Sequence, residues 1–213
     1  DFTVKRNRYW GAMFARAGFK TLTTKATALL CLFVAVGVGF CATTSYIELS
    51  RATAENADIR IDRAARAAAT ITAYRFKDEV AVDRGEEGLP VAIRMKKPIA
   101  IDAIATQTDF NDLVIEIGAT NQGAANFFRW NADTRAFDRF ATTFRTPDGR
   151  MPPAVSFNAS HPFHADVAAG RTYKGDVMVM GRQRFAYMTP ILSTAGQVAG
   201  MLAIDVGWTD DLN

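Results

Sequence analysis

A catalytic centre needs a nucleophile beside a base, a phosphate-cradling loop or a cluster of metal ligands. The 213-residue sequence offers none of these at a characteristic spacing: no nucleophile elbow, no His-Glu-x-x-His and no Gly-rich phosphate loop occurs. Its two histidines, His161 and His164, are three residues apart. On a short helix that spacing puts two imidazoles on one side, as a metal pair requires, but no acidic or cysteine partner stands at a matching interval. Asp109 with Asp112, and Asp210 with Asp211, read as caps of elements rather than acid/base pairs. Gly118 and Gly123 read as turns. The two cysteines, Cys31 and Cys41, both lie in an apolar run, so the rest of the chain has neither a disulfide framework nor a cysteine zinc site. The chain is therefore read as a non-enzyme, with no metal and no cofactor.

Recognition of a small molecule asks for less: a few convergent polar groups on an apolar wall. Arginine with aromatic neighbours suits a small carboxylate or amino acid, because the guanidinium fork matches a carboxylate. The strand-like segments offer Trp130, Arg139, Arg145, Tyr173, Lys174, Arg184 and Tyr187. Of these, Trp130, Arg145, Tyr173, Lys174, Arg184 and Tyr187 are taken as the ligand-binding set. In a regular strand Arg184 and Tyr187 face opposite sides, so only one reaches a shared pocket unless a bulge intervenes. Phe127, Trp130 and Phe185 read equally well as core.

Composition is that of a globular protein, with 49% hydrophobic and 22% charged residues. The net charge of +3 hides an asymmetry. Residues 1–25 carry Lys5, Arg6, Arg8, Arg16, Lys20 and Lys25 against Asp1 alone, and the remainder is slightly acidic. A pI near 9.0 would otherwise suggest a nucleic-acid partner. Here the basic cluster precedes 22 uncharged residues, Ala26 to Ile47. As a helix these span about 33 Å, enough for a bilayer core. The positive flank places residues 1–25 in the cytoplasm as a basic tail and the body outside, with residues 26–47 as the membrane helix. A cleaved leader with its apolar region at Ala28 to Ala42 is the competing reading. Either one exports the body. The sequence does not begin with Met and stops just after a strand-like stretch, and so reads as a piece of a longer protein.

Residues 48–82 contain no Pro or Gly. Ile47, Ala54, Ala57, Ile61, Ala64, Ala68, Ile71 and then Tyr74 or Arg75 recur at helical spacing, predicting one long amphipathic helix that continues the membrane segment. A loop follows at 85–98, with an extended piece at 91–95. Strands are then predicted at 112–117, 125–130, 136–144, 173–179, 184–191 and 198–206. Phe137, Arg139, Ala141 and Thr143 fall on one side of the third of these. Pro147-Asp148-Gly149 is a tight turn. A short helix is capped by Ser160, opened by His161 and Pro162 and closed by Gly170. The fold class is α+β: a membrane helix running into a long helix packed on a five- to six-stranded antiparallel sheet of Cache/PAS-like form.

The stretch Gly170 to Trp208 resembles the closing half of a Cache domain. It contains Tyr-Lys-Gly at 173–175, Met-Gly-Arg at 180–182, Ala-Tyr-Met-Thr-Pro-Ile at 186–191 and Gly-Gln-Val-Ala-Gly-Met-Leu-Ala-Ile-Asp-Val at 196–206. Upstream, Ile-Asp-Ala-Ile at 101–104, Ala-Asn-Phe-Phe at 125–128, Asp-Arg-Phe-Ala-Thr-Thr at 138–143 and Pro-Asp-Gly-Arg at 147–150 fit the same order. The pattern is similar to the single-Cache class of methyl-accepting chemotaxis proteins, over residues 48–208. It departs from that class at Met151-Pro152-Pro153, where a Gly-Thr is common. The resemblance implies an extracytoplasmic ligand sensor. Residues 209–213 would begin the linker to a second membrane helix and a cytoplasmic output module: a chemoreceptor, a histidine kinase or a diguanylate cyclase. The expected partners are a small anionic metabolite, the inner membrane and a second copy in a homodimer. A protein-interaction module that binds no ligand is the other expectation.

Overall fold

The computed structural model describes residues 2–146, 149–150, 152–179 and 181–207. The chain divides into two compact units, Asp1–Ala52 and Thr53–Asn213. Helix α1 (Phe2–Arg75) contributes to both. Among the described side chains of the first unit, the large apolar ones, such as Leu32, Phe33, Val34, Val36, Val38 and Phe40, are exposed. Among the described residues, this is the helix long and apolar enough to cross a membrane. The hydroxyls of Thr43 and Thr44 donate back to the carbonyls of Gly39 and Phe40, so these polar groups are satisfied within the helix.

In the second unit the expected stripe is buried: Ala57, Ile61, Ala64 and Ala68, joined by Ala65 and Ala69. Tyr74 is not part of it, being 84% exposed, and Arg75 instead pairs with Glu116 at 3.7 Å. The helix ends at Arg75, seven residues short of the predicted limit of 82. Phe76 turns into the core against Phe110, with ring centroids 5.1 Å apart. Val80 and Val82 then alternate, and alternation makes a strand, β1 (Val80–Arg84), paired antiparallel with β2 (Pro90–Met95).

The predicted strand at 112–117 is a helix, α2 (Gln107–Asn121). Phe110, Leu113, Val114 and Ile117 are buried at 3–4 spacing, and a capping box starts the helix. The Thr106 side chain accepts from the Asp109 N–H, and the Asp109 carboxylate accepts from the Thr106 N–H and hydroxyl. These bonds hold the Asp109 carboxyl below its ordinary range. Gly118 is thus inside a helix rather than in a turn, close against Thr143.

The remaining elements are β3 (Ala124–Asn131), β4 (Ala136–Thr142), β5 (Ser156–Phe157), α3 (His164–Ala168), β6 (Tyr173–Val179), β7 (Arg182–Leu192) and β8 (Val198–Gly207). They complete an eight-stranded sheet of order β1-β2-β7-β8-β3-β4-β5, with β6 also on β7. The sheet is mixed rather than antiparallel, because β2 runs parallel to β7 at Ile93 and Ile191. The two share one edge of β7: β6 takes residues 182–188 and β2 takes 191–192. Ser160 does not cap α3, since its hydroxyl donates to Asn158 and the helix begins four residues later. Gly170 closes it with a positive φ of 77°. Gly149 also has positive φ, but Pro147 and Asp148 lie outside the described residues, as do Met151 and the predicted linker at 209–213.

Alternate side chains bury two layers. One face of the sheet packs with α1 and α2 through Phe127, Tyr187, Ile191, Leu202 and Ile204. The other carries Phe128, Phe137, Ala186, Met188, Met201 and Ala203 under Phe163 and Val167. The β3–β8 ladder leaves no room for a side chain at Gly200, where an added Cβ would overlap the Phe128 carbonyl oxygen. Gly200→Ala is expected to lower unfolding free energy by roughly 1–3 kcal/mol, measured by urea titration; unchanged stability would contradict this ladder geometry.

Candidate ligand pocket

Cover over the second face is incomplete, and a cavity of about 350 Å³ remains. Phe128 on β3, Ala203 and Asp205 on β8, and Ala186 and Met188 on β7 line the sheet side. Phe157, His161 and Phe163 from the β5–α3 segment, with Val177, Met178 and Val179 of β6, line the other. The aromatic wall is continuous. Phe128 and Phe157 have centroids 5.1 Å apart, Phe157 and Phe163 5.2 Å, and His161 packs on Phe157 at 4.6 Å. Burial pushes the His161 imidazole below its ordinary pKa, with His164 adding to the effect, so the ring facing the cavity is neutral near pH 7.

Besides His161, and Asp176 and Gln183 contributed by β6 and β7, three polar features interrupt this wall. Arg139 reaches it because β4 carries an extra residue. Phe128 pairs with Arg139 but Phe127 pairs with Ala141, so Phe140 is the bulged residue. Phe140 turns to Phe110 on the helix side, at 4.9 Å, and Arg139 joins Phe128 on the cavity side. The expected alternation of 137, 139, 141 and 143 on one side therefore breaks after Arg139. The guanidinium donates 2.8 Å to the Pro153 carbonyl and, among the described residues, has no carboxylate partner. Burial lowers its pKa from an ordinary value far above neutrality. Asn126 is 95% buried, and its Oδ1 accepts from the Thr142 hydroxyl at 2.6 Å. Asp205, also buried, forms an ion pair with Arg184.

The model for the Cache 3/Cache 2 fusion domain matches residues 42–213. The chain belongs to this family. No curated protein matches it significantly. Cache domains of this kind are extracytoplasmic sensory modules rather than catalytic ones, and a candidate membrane helix precedes this one.

Of the residues offered by the sequence, Arg139, left out of the ligand-binding set, lines the cavity of this Cache domain, while Arg184 stands beside two lining residues, paired with Asp205 and with its guanidinium 6.0 Å from the Phe144 ring. Tyr187 lies on the opposite face of β7, as parity requires, and donates to the Pro90 carbonyl at 3.0 Å. Burial raises its phenol pKa. Lys174 faces α1 and forms ion pairs with Asp58 at 2.7 Å and Asp62 at 2.6 Å. Burial opposes its charge, but the two carboxylates outweigh that and hold its pKa above the ordinary value. Tyr173 packs behind Phe163 at 6.1 Å and donates to the Asp176 carbonyl. Arg145 is exposed and donates to the carbonyls of Thr142 and Phe144. Trp130 packs at a tilt against Phe137, with ring centroids 4.8 Å apart, and borders a separate recess of about 640 Å³ with Arg135, Asn158 and His164. His164 bonds the Arg135 carbonyl at 2.9 Å, so it and the cavity-facing His161 serve different places.

Asn126 and Asp205 escaped the sequence reading. The available signal was one polar residue inside an otherwise apolar strand, in Ala-Ala-Asn-Phe-Phe and Ala-Ile-Asp-Val. Burial raises the Asp205 carboxyl to about 6 against the opposing pull of Arg184. Between its ordinary 3.8 and about 6, the folded protein keeps a proton that the unfolded chain has released. This group therefore favours the fold most below pH 4 or so, and that contribution is lost as pH rises to about 6. The unfolding free energy of wild type minus that of Asp205→Asn should fall by up to about 3 kcal/mol over this window and stay flat above it. Denaturant titrations from about pH 4 to pH 7.5 measure it; a constant difference would place Asp205 in a solvated setting.

Proposed function

We propose that this Cache domain is the ligand-sensing region of a bacterial transmembrane signalling receptor, most simply a methyl-accepting chemotaxis receptor. In this reading residues 26–47 anchor it in the inner membrane, residues 1–25 stay in the cytoplasm and residues 48–208 lie in the periplasm. The working unit is a homodimer, and the ligand is a small anionic metabolite, a carboxylate or an amino acid. The observation that carries the reading is Arg139: a half-buried guanidinium on an aromatic-walled cavity, with no carboxylate within ion-pair distance of it among the described residues. A bound carboxylate supplies the missing charge and a bidentate partner.

Strand β6 offers a route from pocket to helix. Val177 and Val179 belong to the cavity wall, and Lys174 on the same strand grips Asp58 and Asp62 of α1. A ligand pressing on β6 then acts on α1 through a charged link that is partly shielded from water. Such a link holds position better than an exposed pair, because its charges are less screened.

The test is a thermal-shift screen of the 213-residue chain in lipid nanodiscs against small carboxylates and amino acids. A ligand at a hundredfold excess over its Kd should raise the midpoint by about 5–10 °C, and Arg139→Gln should abolish the rise. If no anion stabilises the folded chain, direct sensing is wrong. For the β6 route, Lys174→Met should keep the thermal shift from a bound carboxylate but lose any ligand-induced slowing of amide exchange in residues 57–72. Unchanged exchange behaviour would remove Lys174 from the path.

A further inference from the structure

The polar groups of the cavity differ at its two ends. Arg139 stands opposite Phe128 in the β3–β4 ladder. On the other side of β3, Asn126 stands opposite Ala203 and Ala124 opposite Asp205. Arg139 and Asp205 thus lie on opposite neighbours of β3, four residues or about 13 Å apart along it and two strand spacings, about 10 Å, apart across it. The side chains reach inward and close part of that separation; a two- or three-carbon acid is short for what remains, whereas a ring with substituents at opposite ends presents two polar groups held apart. The middle of the cavity is walled by the rings of Phe128, Phe157 and Phe163. Rings arranged this way favour a flat aromatic body, through edge-to-face and offset contacts.

The far end sets the second polar group. Asn126 is 95% buried and its oxygen is taken by Thr142, while its amide N–H has no acceptor among the described residues. Beside it lies the Asp205 carboxyl, buried with Arg184. A ligand group meeting both must accept from the amide and donate to the carboxyl. A hydroxyl does both. A carboxylate cannot donate to Asp205, whose charge Arg184 already pairs, and an ammonium cannot accept from the amide. An α-amino acid carries its two charges on one carbon and so cannot place them at opposite ends.

We propose that the pocket selects a hydroxyaryl monocarboxylate, with the carboxylate on Arg139, the ring between the phenylalanines and the hydroxyl between Asn126 and Asp205. This rests on the reading of the cavity as an anion-sensing site and narrows its ligand class.

Isothermal titration of the full chain in nanodiscs tests it with 4-hydroxybenzoate, benzoate, phenol, succinate and L-phenylalanine as probes. The expected order puts 4-hydroxybenzoate first, at least tenfold tighter than benzoate and than phenol. Arg139→Gln should weaken 4-hydroxybenzoate at least tenfold, to the level of phenol. Asn126→Ala should erase the gap between 4-hydroxybenzoate and benzoate, and its retained benzoate affinity shows that the variant pocket is intact. Equal binding of 4-hydroxybenzoate and benzoate, or a gap that survives in Asn126→Ala, overturns the hydroxyl assignment. If succinate or L-phenylalanine binds tighter than 4-hydroxybenzoate, the narrower ligand class is wrong and the anion-sensor reading stands. If no carboxylate binds a chain that still melts cooperatively, both are wrong.

Discussion

One extra residue in β4 decides which side chains meet. Strand parity is strict, so a residue inserted at Phe140 sends everything beyond it to the other face. Before the bulge, Phe137 and Arg139 share a side with Phe128; after it, Ala141 joins Phe127 on the helix side. Phe140 itself fills the gap between Phe110 and Phe127, which ties the bulge to the packing of α2. The same irregularity therefore completes the core under the helices and delivers a cation to the cavity opposite. Without it Arg139 would point into the aromatic cluster around Phe110, where an unpaired charge has no place.

The two faces of the sheet are finished differently, and function follows from that difference. Two helices cover the first face with interlocking apolar side chains. The second is roofed by a five-residue helix, a two-residue strand and the edge strand β6, elements too short to close it. What they leave open is enclosed enough to desolvate Asp205 and Asn126. Burying a charge requires a partner, and Arg184 meets that requirement for Asp205 at the cost of desolvating both. Such an arrangement is a poor device for stability and a good one for holding polar groups ready in fixed directions.

Much of this was visible in the residues alone, where a periodic pattern ran long enough. The uncharged run after a basic cluster, the alanine stripe at 57–68 and the three closing strands all carry their own signal. Helix α2 was misread because Val114, Ile115 and Ile117 are β-branched and look like a strand, although Thr106 and Asp109 sit at capping-box spacing. The parallel pairing of β2 with β7 was not legible, since periodicity reports which face is buried and not which strand lies alongside. In the pocket, parity separates Arg184 from Tyr187, but nothing in the strand sequences marks which arginines and tyrosines face the cavity. The residues that set the far end, Asn126 and Asp205, are single polar breaks in apolar strands, and only the three-dimensional pairing of β3 with β8 places them together.

The buried stripe of α1 consists mostly of alanines, Ala57, Ala64, Ala65, Ala68 and Ala69, with Ile61 and the half-buried Ile71 as larger side chains. Ridges of long side chains seat a helix in grooves and fix its position along its axis. Bare methyl groups offer little to interlock, so an axial shift of a fraction of a turn changes the number of contacts only slightly. The surface between helix and sheet thus behaves as a low-friction bearing, and the detents that set its resting position are two isoleucines, the lysine clasped by two aspartates, and the links from Arg75 to Glu116 and from Arg84 to Thr70.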